Sequence, residues 1–250
     1  MLIPLDYANE AVLAEVEALW TAVRPAWYWP PRHPYAAEYS WALDQLHAAL
    51  GADLTGLRII DAGGGRNAVQ HLLAARVGPA GEAINVDLSA EAMSPRFAAP
   101  TILRVDLEDT GLEPGSFDAI VSVSAIEHNP WTKIVSVVRH LLGLLRPGSP
   151  LIVTVPAMEQ RTWFESGGEP GGWPEPHQAT WARCFCFDPT ALRELERSVS
   201  DLGALTVPDT LPRWQAYRRA WRAQHADMME HIVERCRFPY LSAGFVMRKR

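Results

Sequence analysis

The sequence predicts an α/β fold in which a mostly parallel sheet carries helices on both faces. Apolar, β-branched runs alternate along the chain with segments of helical period, as they do where helices connect parallel strands. The run 57–62 leads into three glycines at positions 63–65. Residues 67–76 then continue with helical spacing. We call residues 63–67, which join the strand to this helix, the glycine turn. Strand, glycine turn and helix in this order point backbone N–H groups and a helix N-terminus at a ligand beyond the strand's carboxyl end.

Asp61, at the end of this first strand, adds a carboxylate at the same place. A carboxylate would repel a phosphate group bound in this loop, whereas it would attract a ligand that carries a protonated amine. The spacing Gly63-x-Gly65-x-x-Ala68 also satisfies the dinucleotide fingerprint. A nicotinamide dinucleotide therefore stays open as the ligand, as does a tight turn without any ligand.

The first 50 residues predict two helices around a proline-rich stretch. Asn9 is a candidate helix N-cap, and the apolar residues at 12, 16, 19 and 20 share one face of a helix that runs to about Val23. Residues 24–35 hold four prolines, which predict irregular structure, and three adjacent aromatic side chains at 27–29. A second helix, from about Ala36 to Leu50, leads into the first strand.

Four more strands are predicted after the glycine turn. They cover residues 83–87, 101–105, 115–123 and 150–155, and a helix carrying Ile134 to Leu145 precedes the last of them. Asp87 ends the second strand. Doubly wound sheets place a carboxylate there to hold the ribose hydroxyls of a nucleoside.

The remaining chain predicts a long loop, two helices and two strands. Residues 156–187 are rich in Gly, Pro and Trp and show no helical or strand period, so we predict a loop without regular structure. The pair Asp188-Pro189 is a helix start signal. Residues 203–207 predict the sixth strand, residues 212–236 have the spacing of a long amphipathic helix, and residues 243–249 predict the last strand.

Composition argues against several classes of protein. The chain has 250 residues, a formal net charge of −6 and a pI near 5.8, which argues against a surface that coats nucleic acid. No apolar run approaches the length of a membrane span, and no basic region followed by an apolar core indicates a signal peptide. Three unevenly placed cysteines do not make a disulfide framework, so we expect a cytoplasmic location.

Five segments of the chain resemble the class I methyltransferases that use S-adenosylmethionine (SAM). They are Ile-Ile-Asp-Ala-Gly-Gly-Gly at 59–65, Val-Asp at 86–87, Asp-Leu at 106–107, Ser-Phe-Asp-Ala-Ile-Val-Ser at 116–122 and Leu-Leu-Arg-Pro-Gly at 144–148. The resemblance implies a Rossmann-like, seven-stranded sheet in the order 3-2-1-4-5-7-6 with the last strand antiparallel. We expect one domain over 1–250, made of a helical cap (1–50), a SAM-binding core (51–155), a loop insertion (156–187) and a C-terminal part of the sheet (188–250) that contains the 212–236 helical insertion.

The resemblance also implies the residues that bind SAM and its product, S-adenosylhomocysteine. Asp61, Gly63 and Gly65 would surround the methionine part. Asp87, with Leu88 beside it, would hold the ribose, and Asp106 and Leu107 would border the adenine. The backbone of Ser122 and Val123 would lie under the sulfonium. Asn67 stands where the family usually has a third glycine. Because this position opens a helix and asparagine is a good N-cap, we expect Asn67 to keep the cofactor site intact.

Methyl transfer is an in-line displacement, which depends mainly on alignment of the nucleophile and exclusion of water. His128, just beyond the fourth strand, is the first candidate for a general base because imidazole titrates near neutrality. Glu127 is the second candidate. Glu-His at this point is common in the family, so the pair could also serve only to pack the turn that follows.

No metal is expected in the catalytic site. Some relatives bind a divalent metal through Glu-x-x-Glu-His, and here Ser124 stands at the first carboxylate position. Cys184 and Cys186 with His177 would give a zinc ion only three ligands. Buried thiols are the preferred interpretation of these cysteines.

Ten tryptophans are unevenly distributed, with none between Trp41 and Trp131. Three stretches that hold tryptophans lie outside the cofactor core: the proline-rich stretch 24–35, the loop 156–187 and the helix 212–236. They could converge over the cofactor as a cap for a flat or apolar acceptor. The candidate substrate residues are Trp27, Trp29, Trp163, Trp214 and Tyr217. The alternative is that the tryptophans anchor peripheral helices. The 212–236 helix could also be the surface on which two copies form a homodimer.

We therefore predict a SAM-dependent methyltransferase that acts on a small molecule at oxygen or nitrogen, with no metal, nucleic acid or membrane as partner. An NAD-dependent oxidoreductase is the alternative, because the glycine spacing fits both cofactors. Asp61, the pair Asp106-Leu107 and the strand segment Phe117-Asp118 favour SAM. A non-catalytic relative that binds SAM without turnover is a third interpretation.

Overall fold

The computed structural model describes residues 10–23, 34–67, 69–90, 96–157, 161–165, 183–206 and 241–250. In these ranges the helices are α1 (Glu10–Val23), α2 (Pro34–Leu50), α3 (Val69–Val77), α4 (Trp131–Leu144) and α5 (Pro189–Ser198). The strands are β1 (Arg58–Ala62), β2 (Glu82–Val86), β3 (Thr101–Leu103), β4 (Ala119–Val123), β5 (Pro150–Ala157), β6 (Thr162–Glu165), β7 (Arg183–Cys186), β8 (Gly203–Leu205) and β9 (Leu241–Lys249). A short 3-10 turn, Ile126–His128, follows β4.

Seven strands form one sheet in the order β3-β2-β1-β4-β5-β9-β8. Strands β1 to β5 pair in parallel, and β9 is antiparallel to both β5 and β8. Counted along the chain, the strands of this sheet have the order 3-2-1-4-5-7-6, so the predicted order and the antiparallel last strand are confirmed. The order reverses between β1 and β4. Ligands of open α/β sheets bind at such a switch point, in the crevice outside the carboxyl ends of the strands.

Both faces of the central strands are covered. Every residue of β4 and β5 is buried, and since successive side chains point to opposite faces, neither face is open to solvent. Helix α2 packs on β4, β5 and β9, and α1 lies against α2 and α3. Helix α2 thereby lies beside the strands that follow the switch point.

A close contact between Trp41 and Gly244 seats helix α2 on β9. Trp41 is buried, and a Cβ atom built on Gly244 would lie 2.4 Å from its indole ring. Side chains in well-packed cores do not approach this closely, so any side chain at position 244 would displace the indole. The absence of a side chain at 244 is therefore required by the helix above it.

Gly244→Ala should destabilise the protein by roughly 1–3 kcal/mol, the usual cost of overpacking a core. The control is Gly143→Ala in α4, where an added Cβ would meet nothing within 4 Å. Because Gly143 lies inside a helix, this control should be neutral or stabilising by about 0.5–1 kcal/mol. Urea unfolding of both variants measures the difference, and equal midpoints would contradict the contact.

Helix α5 begins where its capping signal predicts. The Asp188 side chain accepts a hydrogen bond from the Ala191 N–H at 2.6 Å, and Pro189 occupies the first turn. Leu192 and Leu195 are buried on the opposite side of the same helix from its charged residues. The Asp188 N-cap and the helical spacing of the buried leucines together identify this helix from local sequence.

The prediction that residues 156–187 form a loop without regular structure is wrong at both ends of this segment. Strand β5 continues two residues into it because these residues pair with β9. Strands β6 and β7 form an antiparallel hairpin, with Trp163 opposite Phe185. Phe185 and Phe187 are buried, and Phe187 donates its N–H to the Pro156 carbonyl at 2.8 Å. The glycine- and proline-rich composition of the segment obscured this strand pairing.

Some predicted strands are too long at one end. Strand β3 ends at Leu103 and β8 at Leu205. Strand β4 begins at Ala119, because Phe117 forms only a single bridge with Leu145. The N-cap at Asn9 and the 212–236 helix lie outside the described residues. In the ranges that the structure describes, no helix is long and apolar enough to cross a membrane.

Candidate functional site

The glycine turn lies at the switch point, between the ends of β1 and β4. Gly63 and Gly65 have φ angles of 77° and 51°, in the left-handed region that favours glycine. A Cβ atom on Gly63 would lie 2.3 Å from Cβ of Ala125, which follows β4, and 3.7 Å from Cδ1 of Leu107, which follows β3. Three turns therefore meet at Gly63, and a side chain there would close the crevice between them.

Asp61 is a buried carboxylate beside the glycine turn. It is 2% exposed, its Oδ2 accepts a hydrogen bond from Asn67 Nδ2 at 2.9 Å, and its Oδ1 has no hydrogen-bond partner. Burial raises the pKa of Asp61 to about 7, against the opposing effect of the Asn67 hydrogen bond. A buried acceptor without a partner is costly. A protonated amine placed beside Asp61 would satisfy it.

Asn67 closes the N-terminal end of helix α3. Its Oδ1 accepts the Gln70 N–H at 3.1 Å, the interaction expected of an N-cap. Its Nδ2 donates to Asp61, so the same side chain caps the helix and holds the carboxylate. The departure from the usual third glycine is therefore compatible with an ordered turn.

Asn85 supports the glycine turn, and the sequence did not identify it as a site residue. It lies opposite Asp61 in the β1–β2 pair. Its Nδ2 donates to the Gly65 carbonyl at 2.9 Å and to Gln70 Oε1 at 3.1 Å, while its buried Oδ1 has no partner. An amide between the apolar residues Ile84 and Val86 of a predicted strand was the available sequence signal, because a buried amide requires hydrogen bonds.

Asp87 and Leu88 follow β2 on the same side of the sheet as the glycine turn. Asp87 Oδ1 accepts hydrogen bonds from the Ser89 N–H at 2.6 Å and from Ser89 Oγ at 2.8 Å. Its Oδ2 lies 3.8 Å from the position of a Cβ on Gly65. Leu88 is 70% exposed, an unusual state for a large apolar side chain in the described part of the chain. The carboxylate and the leucine together present one polar and one apolar surface next to the turn.

Asp106 is bound by a lysine that the sequence did not associate with it. Lys133 Nζ, from the first turn of α4, lies 2.7 Å from Asp106 Oδ2 and 3.3 Å from Glu108 Oε2. The hydrogen bond from Lys133 lowers the pKa of Asp106. Asp106 is therefore ion-paired with Lys133. The side chain of the neighbouring Leu107 lies next to Gly63 of the glycine turn.

The end of β4 is buried and its backbone turns sharply. Ser122 is fully buried with no partner for its Oγ, and Val123 is 5% exposed. Ser124 has a φ of 46°, the one positive φ at a non-glycine residue in the described ranges. Such a conformation costs free energy unless the surroundings hold it.

Glu38 of helix α2 holds Ser124, and the sequence did not identify it. Its Oε2 accepts hydrogen bonds from Ser124 Oγ at 2.6 Å and from Thr154 Oγ1 at 2.7 Å. Glu38 is 2% exposed, so these contacts lie in the interior. Thr154 Oγ1 and the Thr154 carbonyl also accept the Ser124 N–H, each at 3.1 Å. Helix α2 is thereby fastened to the carboxyl ends of β4 and β5.

Glu127 and His128, the candidate bases, lie together in the 3-10 turn after β4. Glu127 is 2% exposed, and its Oε2 has no hydrogen-bond partner. Burial raises the pKa of Glu127 well above its usual range, and the charges of Glu38 and Cys186 add to the rise. The His128 side chain is 26% exposed, with its Nε2 4.0 Å from Glu127 Oε1.

Most of the proposed cap lies outside the described residues. This holds for Trp27, Trp29, Trp214 and Tyr217, and for His177 of the disfavoured zinc site. Trp163 has a described backbone in β6, but its side chain is outside the description, as is that of Cys184. Among the tryptophans whose side chains are described, Trp20 and Trp41 are buried in the core, and Trp131 packs against Phe185 with ring centroids 5.2 Å apart.

The chain is similar to known methyltransferases in sequence pattern and in fold. Residues 60–153 match a family model described as a methyltransferase domain. No curated protein is significantly similar in sequence. Among solved structures, the chain is similar to 1,6-didemethyltoxoflavin-N1-methyltransferase of Burkholderia thailandensis with bound 1,6-didemethyltoxoflavin and S-adenosylhomocysteine. The two are 16% identical, the alignment covers 100% of this chain and 91% of that one, and the TM-score is 0.59.

Two further structures have the same fold. Magnesium protoporphyrin IX methyltransferase of Synechocystis PCC 6803, with bound SAM, is 14% identical, with 96% of this chain and 94% of that chain covered and a TM-score of 0.51. Phosphoethanolamine N-methyltransferase 2 of Haemonchus contortus, in complex with SAM, is 15% identical, with 96% and 58% covered and a TM-score of 0.54. At these levels of identity the likeness shows a shared Rossmann-like fold.

Proposed function

We propose that the protein is a class I, SAM-dependent methyltransferase that methylates a small molecule at an oxygen or a nitrogen atom; its residues 60–153 match a family model described as a methyltransferase domain. Structures of similar fold include methyltransferases named for didemethyltoxoflavin and for phosphoethanolamine, both small molecules. These names support a small-molecule acceptor without identifying it.

The unpartnered Oδ1 of Asp61 carries the assignment of the donor site. It is buried beside the glycine turn, where a ligand's ammonium group would give it a partner. A phosphate-bearing dinucleotide would instead bring negative charge to this carboxylate. The residues present therefore fit the amino-acid part of SAM better than the pyrophosphate of NAD.

The neighbouring residues fit the rest of the donor. We assign the Asp87 carboxylate to the ribose hydroxyls, the exposed Leu88 side chain and Leu107 to the adenine faces, and Asp106 to the adenine edge. Gly63 and Gly65 supply close backbone approach to the methionine part, with Asn67 holding Asp61. The backbone of Ser122 and Val123 underlies the sulfonium in this assignment.

SAM supplies a methyl group on a sulfonium, which leaves as a neutral thioether. The chain itself must align the acceptor and exclude water. His128 is our first candidate to take the proton of the acceptor, because its side chain is 26% exposed and can meet a ligand, whereas that of Glu127 is 2% exposed. Glu127 Oε1 lies 4.0 Å from His128 Nε2, close enough for the two side chains to interact once His128 has taken up a proton.

Calorimetric titration with SAM and with NAD tests the cofactor. We expect SAM to bind and NAD not to bind measurably. The enzyme is then incubated with methyl-labelled SAM and a fractionated extract of small molecules, and label should appear in one acceptor. Tighter binding of NAD would support the oxidoreductase, and SAM binding with no labelled product from any fraction would support the non-catalytic relative.

Asp87→Ala should weaken SAM binding by roughly 1.5–3 kcal/mol, the range for hydrogen bonds to a charged group. The ribose hydroxyls would lose both acceptor oxygens at once. Ser89→Ala is the matched control, because it removes a hydroxyl bonded to Asp87 and leaves the carboxylate in place. An unchanged dissociation constant for Asp87→Ala, measured by calorimetry, would refute the ribose assignment.

Activity should survive excess EDTA and should not rise on addition of magnesium, manganese or zinc. The reason is that Ser124, at the position of a carboxylate in metal-using relatives, donates its hydroxyl hydrogen bond to Glu38. Glu127 and His128 alone would make a weak site for a divalent ion. Loss of activity on chelation, restored by one ion, would overturn this expectation.

The aromatic cap stays a prediction for Trp27, Trp29, Trp163, Trp214 and Tyr217. The cytoplasmic location, the homodimer and the division of the single domain into cap, core and insertions are also parts of this proposal. A structure with S-adenosylhomocysteine bound would test the cap directly, by showing which side chains lie in front of the sulfur atom.

A further inference from the structure

We propose that Asn85 is a positioning residue of the donor site, which acts on the ligand through the glycine turn and not by direct contact. It is the first of three linked side-chain amides, Asn85, Gln70 and Asn67, which we call the amide chain. This inference rests on the proposed function and deepens it, because it says what holds the part of the site that meets the amino-acid end of SAM.

The amide chain is buried, and a backbone carbonyl fixes its direction. From Asn85 to Asn67, its members are 0%, 1% and 6% exposed. Asn85 Nδ2 donates to the Gly65 carbonyl at 2.9 Å and to Gln70 Oε1 at 3.1 Å. Because a carbonyl oxygen only accepts hydrogen bonds, Asn85 must present its nitrogen to the turn, and both hydrogens of that nitrogen are used.

The other two amides continue the amide chain around the turn. Gln70 Nε2 donates to the Asn67 carbonyl at 2.6 Å. Asn67 Nδ2 donates to the Gly64 carbonyl and, at 2.9 Å, to Asp61 Oδ2. Two successive carbonyls of the turn, those of Gly64 and Gly65, are therefore held by side-chain amides.

Holding the Gly64 carbonyl also directs an N–H group of the turn. In a planar trans peptide, the N–H points opposite to the carbonyl of the preceding residue, and the described ranges contain no cis peptide. The Gly65 N–H therefore points away from the amide chain. Gly64 is buried and Gly65 is partly exposed, as in a turn with one side packed on the protein and the other accessible. A backbone N–H on the accessible side suits a carboxylate.

The amide chain also decides which oxygen of Asp61 remains for a ligand. Both hydrogens of Asn67 Nδ2 are used, one by the Gly64 carbonyl and one by Asp61 Oδ2. Asp61 Oδ1 is left without a partner among the described residues. Burial raises the pKa of Asp61 to about 7, and an ammonium group at Oδ1 would favour the charged form. The amide chain thus places an acceptor for the ammonium of an amino acid beside a donor for its carboxylate.

An apolar residue at position 85 would serve the sheet better. The neighbours of Asn85 in β2, Ile84 and Val86, are apolar and buried. Asn85 Oδ1 is buried without a hydrogen-bond partner in the described part of the chain, which costs stability. The place of Asn85 explains this cost, because it lies opposite Asp61 in the β1–β2 pair. A Cβ on Gly64 would lie 2.7 Å from Asn85 Oδ1, so the turn rests directly on this amide.

The test compares two ligands that share adenosine and differ in the amino-acid part. They are S-adenosylhomocysteine and methylthioadenosine, which keeps the thioether but has no ammonium or carboxylate. Asn85→Val removes both donated hydrogen bonds, so the ligand must order a turn that the protein no longer holds. We expect the affinity for S-adenosylhomocysteine to fall about tenfold, or about 1.4 kcal/mol, and that for methylthioadenosine to stay within about twofold. Calorimetry measures the first ligand, and ligand-observed NMR titration measures the second.

Gln70→Met is a second variant, which decides the question if Asn85→Val does not fold. Methionine keeps the length of glutamine without its polar groups, so the amide chain is cut while Asn85 still donates to the Gly65 carbonyl. The same selective loss of S-adenosylhomocysteine affinity should appear, at about threefold, as for one hydrogen bond. Thermal unfolding without ligand shows which variants are folded.

Ser116→Ala is the matched control, since it also removes a hydrogen bond that a side chain donates to a backbone carbonyl, that of Glu113 at 2.7 Å. Ser116 precedes β4, at the opposite end of the parallel strands from the glycine turn, so both dissociation constants should keep their wild-type values. If a folded amide-chain variant weakens both ligands equally, weakens neither, or weakens methylthioadenosine more, Asn85 is only structural and the proposal is wrong. If the wild-type protein binds neither ligand, the proposed function itself fails, which is distinct from an equal effect on both.

Discussion

Gly63→Ala should abolish measurable SAM binding and should also destabilise the protein. The added Cβ would lie 2.3 Å from Cβ of Ala125, so the turn after β4 must move away or the glycine turn must distort. The left-handed φ of 77° adds a cost of roughly 1–2 kcal/mol for any residue with a Cβ. Calorimetry measures the binding, and urea unfolding measures the stability.

Gly78→Ala is the matched control for this substitution. Gly78 has a φ of 63°, but an added Cβ would meet nothing within 4 Å. It should therefore lose only the roughly 1–2 kcal/mol of backbone strain and keep its SAM affinity. Adding Ala125→Gly to Gly63→Ala removes the clash and should restore part of the lost stability. A folded Gly63→Ala variant with wild-type SAM affinity would mean that the donor binds elsewhere.

Asp61→Asn should weaken SAM binding by about 30-fold or more, because removing one partner of a buried charge pair costs about 2–5 kcal/mol. Asparagine has nearly the shape of aspartate and can still accept from Asn67, so the glycine turn should persist. Without ligand and above about pH 7, the variant should be at least as stable as wild type, since it no longer buries an ionised carboxylate. Unchanged affinity would remove Asp61 from the donor site.

The same carboxylate predicts how wild-type affinity depends on pH. With a pKa of about 7, Asp61 is mostly protonated at pH 6 and becomes charged as the pH rises. SAM affinity should therefore rise about five- to tenfold from pH 6 to 7.5 and fall again above about pH 8, where an α-amino group loses its proton. The Asp61→Asn variant should lack the rise below pH 7.5.

The stability of the ligand-free protein should change with pH in the opposite direction. The pKa of Asp61 is raised in the folded state, so folding favours the protonated carboxyl group. Its contribution to stability is fully present below the unfolded pKa of about 4 and is lost as the pH rises to about 7. The difference in unfolding free energy between wild type and Asp61→Asn should follow this window, and a constant difference would contradict it.

Local sequence determined the elements whose signals lie within a few residues. The glycine turn follows from a strand that runs directly into three glycines, and helix α5 follows from the Asp188 cap next to Pro189. The strand order followed from matching five short segments to a family and is confirmed. The glycine turn and the start of α5 depend on backbone conformation and hydrogen bonds between residues close in sequence, which local sequence reports directly; the strand order depends on distant pairings and came from the resemblance alone.

The hairpin of β6 and β7 shows where local signals fail. Its strands are separated by a glycine- and proline-rich segment, so the sequence favours a loop over 156–187. The pairing is stabilised by Phe185 and Phe187, which are buried next to Trp131. Burial of these rings depends on α4 packing against them, and no local pattern reports that contact.

Tertiary structure alone decided which polar side chains are buried together. Glu38 meets Ser124 and Thr154 across sequence separations of 86 and 116 residues, and Lys133 meets Asp106 across 27. In the sequence Glu38 is one carboxylate on a helix, and nothing nearby distinguishes it from a solvated one. Its role depends on α2 covering the ends of β4 and β5, because water is excluded there and a carboxylate must then find donors or a cation.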